Sequence, residues 1–195
     1  MFILYALPVG LLLGLLLGGR LSGLAGVQFR WAAVAVVGFA IQVVLFSAPV
    51  IATVGDAGPP IYVLSTALVL VAVLRNVAIR GMAVVALGAA SNLVAIVANG
   101  GYMPADPAAA AEFGRGAETV YSNSRIIEAP ALAPLTDVIA LPQWLPFTNI
   151  VSVGDVLIAV GIAIVIAAAM RAGRSSRGEE SHGPEATVPS GNSPF

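Results

Sequence analysis

Asp155 is the one carboxylate that falls inside an apolar stretch long enough to cross a bilayer. Ionisable side chains at membrane depth are costly and mark functional sites by default. The residues around Asp155 offer a second role. Ser152-Val153-Gly154-Asp155 has the S-x-x-D spacing of a capping box, in which the serine hydroxyl accepts a backbone N–H at the helix start and the carboxylate returns the bond. The positive end of the helix dipole also favours a carboxylate there. On that spacing the helix starts at Val153, and Asp155 lies about one turn into the bilayer. Ser65 and Thr66 enter a neighbouring apolar stretch from the same side and are candidate neighbours. A second carboxylate, Asp137, stands among apolar residues and prolines. Two carboxylates in one site, one charged and one keeping its proton, form the acid/base pair of intramembrane aspartyl peptidases. Eighteen residues with two prolines separate Asp137 from Asp155, so spacing alone does not bring them together.

Two amides complete the polar inventory of the apolar stretches. Gln42 is eleven residues past Trp31, and Asn92 is ten past Met82. Each is therefore about 15 Å along its helix, near a bilayer midplane. There the two amides can bond to each other as structural glue, worth about 0.6 kcal/mol per contact, or line a binding site with Asp155. Asn99-Gly100-Gly101-Tyr102-Met103-Pro104 is a helix stop followed by a sharp turn; it also offers Asn99 and backbone N–H groups to a ligand. Gly10, Gly14 and Gly18 recur every four residues. That puts missing side chains on one helix face, against which another helix of this chain, another membrane protein or a second copy can pack closely. There is no cysteine, and the single histidine, His182, lies in a polar tail. The sequence therefore offers no metal-ligand cluster and no cofactor fingerprint.

The elements that must position these groups follow from composition. The chain has 195 residues, 58% hydrophobic and only 10% charged, with a mean hydropathy of +0.95. Soluble domains carry about 25% charged residues. The net charge of −1 argues against a nucleic-acid partner. The expected fold is all-α: an integral membrane bundle of five transmembrane helices over about 1–19, 31–54, 60–79, 82–98 and 150–170. Arg20, Arg30, Arg75, Arg80, Arg171, Arg174 and Arg177 then fall on one side, and the short loop at 55–59 carries Asp56 and no arginine. Positive charge is retained in the cytoplasm, so the expected arrangement is a bacterial cytoplasmic membrane with the N-terminus outside and the C-terminus inside. No basic residue precedes the first apolar run, so it reads as a retained helix rather than a cleaved signal.

The long connection, 99–149, falls outside. Asp106-Pro107 before an alanine run reads as a capped short helix ending near Gly114. The apolar segment 129–147 is interrupted by Pro130, Pro134, Pro142 and Pro146. It cannot span and is expected on the outer face of the bundle or dipping between helices, with Trp144 and Phe147 near the headgroups. Residues 171–195 are rich in Ser, Gly, Pro, Glu and Arg and read as a disordered cytoplasmic tail.

Three stretches carry a resemblance: Asn99-Gly100-Gly101-Tyr102-Met103-Pro104, Thr136-Asp137-Val138-Ile139-Ala140-Leu141-Pro142, and Ser152 to Gly161. Together they resemble a family of uncharacterised bacterial multi-pass membrane proteins, the domain-of-unknown-function family numbered fifty-three seventeen. The resemblance runs from the first span to the fifth. It implies the multi-pass topology and a focus on Asn99, Asp137, Ser152 and Asp155, and it implies no activity or cofactor. Thr136 stands where family members often have Gly, and Tyr121–Arg125 stands where they carry a basic or His-containing run.

The leading functional expectation is a non-enzymatic accessory or assembly component that contacts membrane helices through the Gly10–Gly18 face. The alternatives are a small-molecule carrier using Gln42, Asn92 and Asp155, and a membrane enzyme using Asp137 and Asp155 at the outer surface.

Overall fold

Glycine and alanine decide how the helices of this chain meet. The computed structural model describes residues 2–112, 124–146 and 149–180, with residue 2 and residues 173–180 described by backbone alone. Among these the helices are α1 (Ala6–Leu16), α2 (Ala32–Leu45), α3 (Ala48–Ile51), α4 (Gly58–Leu74), α5 (Met82–Ala98), α6 (Pro107–Glu112) and α7 (Val153–Glu180). The short strands are β1 (Met103–Ala105), β2 (Ser124–Ile126), β3 (Ile139–Ala140) and β4 (Ile150–Val151). The protein is thus mostly helical. Gly55–Leu74 and Val153–Ala172 are each long and apolar enough to cross a membrane, while Ile3–Leu16, Ala32–Leu45 and Met82–Ala98 are shorter apolar helices.

The main helix pairings run α2–α4–α5–α7–α1. Between α5 and α7, Gly88 faces Gly154 and Gly81 faces Gly161. A Cβ on Gly88 would lie 2.4 Å from the Gly154 carbonyl oxygen, and one on Gly81 would lie 2.6 Å from that of Gly161. On each side the two glycines are seven residues apart; Gly154 and Gly161 lie two turns apart on α7, and Gly81 is the left-handed cap that precedes α5. On α2, a Cβ at Gly38 would lie 2.9 Å from the Ser65 carbonyl oxygen of α4. Missing side chains let backbones approach and gain dispersion contacts. Apolar clusters fill the remaining space: Leu45, Tyr62, Ala95, Ile96 and Met103 at one end, with Phe46 edge-on to Tyr62, and Val73, Met82, Val85 and Ala86 at the other.

Several expected boundaries move. The stretch expected to span 31–54 is helical only to Leu45, and α3 follows after a break at Phe46–Ser47. Pro49 has no N–H to donate, and its ring would clash with the carbonyl of residue 45. The third helix runs 58–74 rather than 60–79, because the chain turns at Asn76. That side chain is 3% exposed. It accepts the Arg30 N–H (2.8 Å) and donates to the Arg30 carbonyl (2.7 Å), which clamps the entry of α2 to the exit of α4. The fifth long helix starts at Val153 and continues to Glu180, past Met170 into the stretch expected to be disordered; 181–195 lies outside the described residues.

Arg20, Arg30 and Arg75 gather at one end. The Arg20 N–H donates to the Met170 carbonyl, and the Arg75 guanidinium sits 5.7 Å from the centroid of the Trp31 ring. The opposite end is closed by the long connection. β1 pairs in parallel with β2, Ala105 bridges to Asp137, and β3 pairs antiparallel with β4. Asp106 caps α6 through the Ala109 N–H at 2.9 Å, as its spacing predicts; Gly114 and Phe147 lie outside the described residues. Ile150, Val151 and Ser152 are 2%, 2% and 0% exposed. Ile150 packs into the connection's own cluster with Ala105, Ala109 and Ala110, and the chain reaches α5 inside the bundle at Ser152, while Trp144 stays at the surface.

Candidate functional site

The start of α7 is built as the S-x-x-D spacing requires, and then extended. The Asp155 N–H donates to Ser152 Oγ (3.0 Å), and the Ser152 N–H donates to Asp155 Oδ2 (3.2 Å). This is a reciprocal capping box. Asn92 of α5 closes a ring around it. Its Nδ2 donates to Asp155 Oδ1 at 2.8 Å, and its Oδ1 accepts the Ser152 hydroxyl at 2.8 Å. Gly154 makes room for this, since a Cβ there would meet Asn92 Oδ1 at 1.9 Å. Asp155 is thus a cap and a cross-helix anchor together. Asn92 lies six residues inside the end of α5, about 9 Å below that end. Its direct bond to Asp155 puts the carboxylate deeper than one turn from the surface. The cause is that the chain reaches α5 inside the bundle at Ser152, so α7 starts there.

Asp155 and Asn92 look into a cavity of about 440 Å³. Ligand pockets are typically about 300–1,000 Å³, mostly apolar with a few placed polar groups. Here the polar groups gather toward the end closed by the connection: Gln42, Thr66, Asn92, Asp137, Asn149 and Asp155 all line the wall. Below them the wall is apolar, including Phe39, Val69, Val85, Ile158 and Ile162. Several of these groups are bonded to one another or to nearby backbone. Gln42 Nε2 donates to Thr66 Oγ1 at 3.3 Å, and the Thr66 hydroxyl donates to the Tyr62 carbonyl at 2.8 Å. The backbone of Asp137 is fixed by its N–H to the Pro104 carbonyl and by its own carbonyl, which accepts the Asp106 N–H, both at 2.9 Å.

Five residues singled out from sequence therefore line one cavity: Gln42, Thr66, Asn92, Asp137 and Asp155. Others do not. Gln42 and Asn92 bond to Thr66 and to the α7 cap rather than to each other. Ser152 is fully buried behind the wall, engaged by the cap and by Asn92. Asn99 is outside the wall as well. Its Oδ1 accepts the Ala131 N–H, and its Nδ2 donates to the carbonyls of Ala131 and Ala95, all within 2.9 Å. The amide acts as a substitute peptide that ties the connection to the end of α5. The glycine run of α1 also divides. Gly10 and Gly14 are buried against Ala163, Ile166 and Met170 of α7. Gly18 is in the left-handed region (φ +73°). It ends the helix in a Schellman turn, with Gly18 N–H to the Leu15 carbonyl and Gly19 N–H to that of Gly14.

Asn149, Tyr62 and Met103 of the wall were not singled out from sequence, nor was the Asn76 clamp. Only the glycine pairs Gly81/Gly88 and Gly154/Gly161 left a readable signal, their seven-residue spacing. Among the described residues, no group of three or more His, Cys, Asp or Glu side chains is placed to hold a metal.

The three stretches that carry the resemblance contribute the cap (Ser152, Asp155), the cavity residues Met103 and Asp137, and the Asn99 tie. The model of the family of unknown function DUF5317 matches residues 26–167. The chain belongs to this family. The match begins after α1, so it is narrower than the first-to-fifth-span expectation. Every cavity residue named above lies inside it, and the glycines of α1 lie outside. No curated protein and no solved structure matches the chain.

Proposed function

We propose that this DUF5317 protein is a five-span bacterial inner-membrane protein that holds a small molecule in the cavity between α2, α4, α5 and α7, as a carrier does at its binding step. The observation that carries the proposal is that Gln42, Asn92 and Asp155, from three different helices, line one cavity. A purely structural amide or carboxylate has no need to border a cavity of this size. The membrane placement is supported by large apolar side chains left exposed on the helices, such as Leu16 (74%) and Val43 (73%). It is also supported by the gathering of Arg20, Arg30 and Arg75 at one end, which favours N-terminus out and C-terminus in. In this reading α1, α2 and α5 cross a bilayer with help from their flanking turns or by local thinning.

The accessory reading loses its main argument, because Gly10 and Gly14 are already covered by α7. A partner or a second copy would meet the outward residues of α1 instead, among them Leu12 and Leu15. The enzyme reading fits less well. An acid/base carboxylate must exchange its proton during the reaction, whereas both oxygens of Asp155 accept structural N–H bonds.

The test is ligand retention. The protein is purified in mild detergent, and small molecules released on denaturation are measured by mass spectrometry. Wild type is expected to release one species at near-stoichiometric amount, and Ala89→Trp, which fills the cavity from its wall, is expected to release none. Equal release from both proteins, or none from either, defeats the reading.

A further inference from the structure

The cavity has an electrostatic asymmetry that narrows what it takes. Asp155 lines it, and among the described residues no arginine or histidine does. Among the described residues no cationic side chain is placed against Asp155; its partners there are the neutral Asn92 amide and the Ser152 N–H. An ionised carboxylate offers about four lone-pair sites, and these two bonds use two. A charge in apolar surroundings is costly unless it is paired. Beyond the positive end of the α7 dipole, the group that would further stabilise Asp155 is a cation with N–H donors that enters the cavity. A bare inorganic ion would match the polar end only. It would leave the apolar wall, which continues through Val85 and Ile162 toward Val165 and Phe29, with nothing to cover.

The route in is also marked. Ile3 and Phe39 both line the cavity, yet they are 40% and 54% exposed. Ile3 belongs to the turn that leads into α1, and Phe39 to α2, the two ends of the α2–α4–α5–α7–α1 series. The cavity wall therefore reaches the bundle's side at its outer half, where lipid lies in the five-span arrangement.

We infer that the cavity takes a single-chain amphiphile with a protonated amine head, entering sideways between the Phe2–Tyr5 turn and α2, with its ammonium group at Asp155 and its chain along the apolar wall. This rests on the small-molecule reading proposed above. A primary ammonium donates up to three hydrogen bonds, which suits Asp155 in a cavity that Gln42 and Asn149 also line.

The test uses the full chain in lipid nanodiscs, titrated calorimetrically with n-octylamine, 1-octanol and sodium chloride against empty nanodiscs. Octylamine is expected to bind saturably at pH 7, with 1-octanol at least tenfold weaker and sodium without effect. Asp155→Asn should weaken octylamine at least tenfold while leaving 1-octanol unchanged. Should that variant lose its fold through its altered cap, Gln42→Leu, which leaves the cap intact, should still weaken octylamine at least threefold. Three outcomes overturn the inference. Equal binding of octylamine and 1-octanol would leave an apolar site with no role for the carboxylate, the small-molecule reading surviving. A response to sodium alone equal to that of octylamine would make this an inorganic cation site. No saturable response to any probe would remove the small-molecule reading along with the inference.

Discussion

Replacing Gly154 by alanine should strike the contact on which the site depends. The added Cβ would lie 1.9 Å from Asn92 Oδ1 and 2.7 Å from the Gly88 carbonyl oxygen. The two obstacles differ in kind. Asn92 can rotate away, and then its bonds to Asp155 and Ser152 are lost, about 0.6 kcal/mol each for side-chain bonds between membrane helices. The Gly88 carbonyl is backbone and cannot rotate, so α5 and α7 must separate, an overpacking cost of about 1–3 kcal/mol. The expected destabilisation is about 2–4 kcal/mol. Asn92→Ala alone should cost about 1–2 kcal/mol, since it removes two hydrogen bonds and leaves Asp155 one donor short. In the double variant the Asn92 contact is gone and only the Gly88 contact remains. The pair should therefore fall short of the sum of the singles by at least about 1 kcal/mol, the signature of residues in direct contact. The assay is equilibrium unfolding of the detergent-solubilised chain, followed by helical circular dichroism. Gly26→Ala serves as the control, because a Cβ there would meet nothing within 4 Å. Additivity within about 0.5 kcal/mol, the usual error for independent sites, would refute the close approach of Gly154 to Asn92.

Three further outcomes are expected. Gly23→Ala should destabilise more than Gly14→Ala in the same unfolding assay: a Cβ at Gly23 meets the Ala169 carbonyl oxygen at 2.2 Å, whereas at Gly14 it meets the flexible Met170 Sδ at 2.3 Å. Asn76→Ala should cost about 2–3 kcal/mol by that assay, and Asn76→Asp should not restore the loss, because two of the three bonds to the side chain need the amide N–H. The chain has no cysteine, so single cysteines report without background. In intact cells Asp56→Cys should react with an impermeant maleimide and Ala78→Cys should react only after lysis; the opposite pattern would reverse the proposed orientation.

Local chemistry was legible in the sequence, and convergence was not. The Ser152–Asp155 box and the Asp106 cap depend on residues three apart, and they form as their spacing requires because the backbone bonds they satisfy are local. The helical character of the apolar stretches followed from composition for the same reason, as did the glycine contacts of Gly10 and Gly14. Pro49 could have been read as the end of α2, since its effect is also local.

Tertiary structure decided the rest. Whether Asp137 and Asp155 share a cavity depends on how far the connection dips between helices, and eighteen residues of chain do not encode that distance. Asn76, Asn92 and Asn99 look alike in sequence, one amide each on or beside an apolar helix. One clamps two chain segments, one anchors a cap at the cavity wall, and one substitutes for a peptide. An amide takes its role from whichever unpaired backbone or side-chain group the packing brings to it, because a buried polar group must find a partner. Sequence by itself therefore offered Asp155 two roles, helix cap and site carboxylate, and did not choose between them. Only the packing of Gly88 against Gly154 placed that cap, and its charge, beside a cavity.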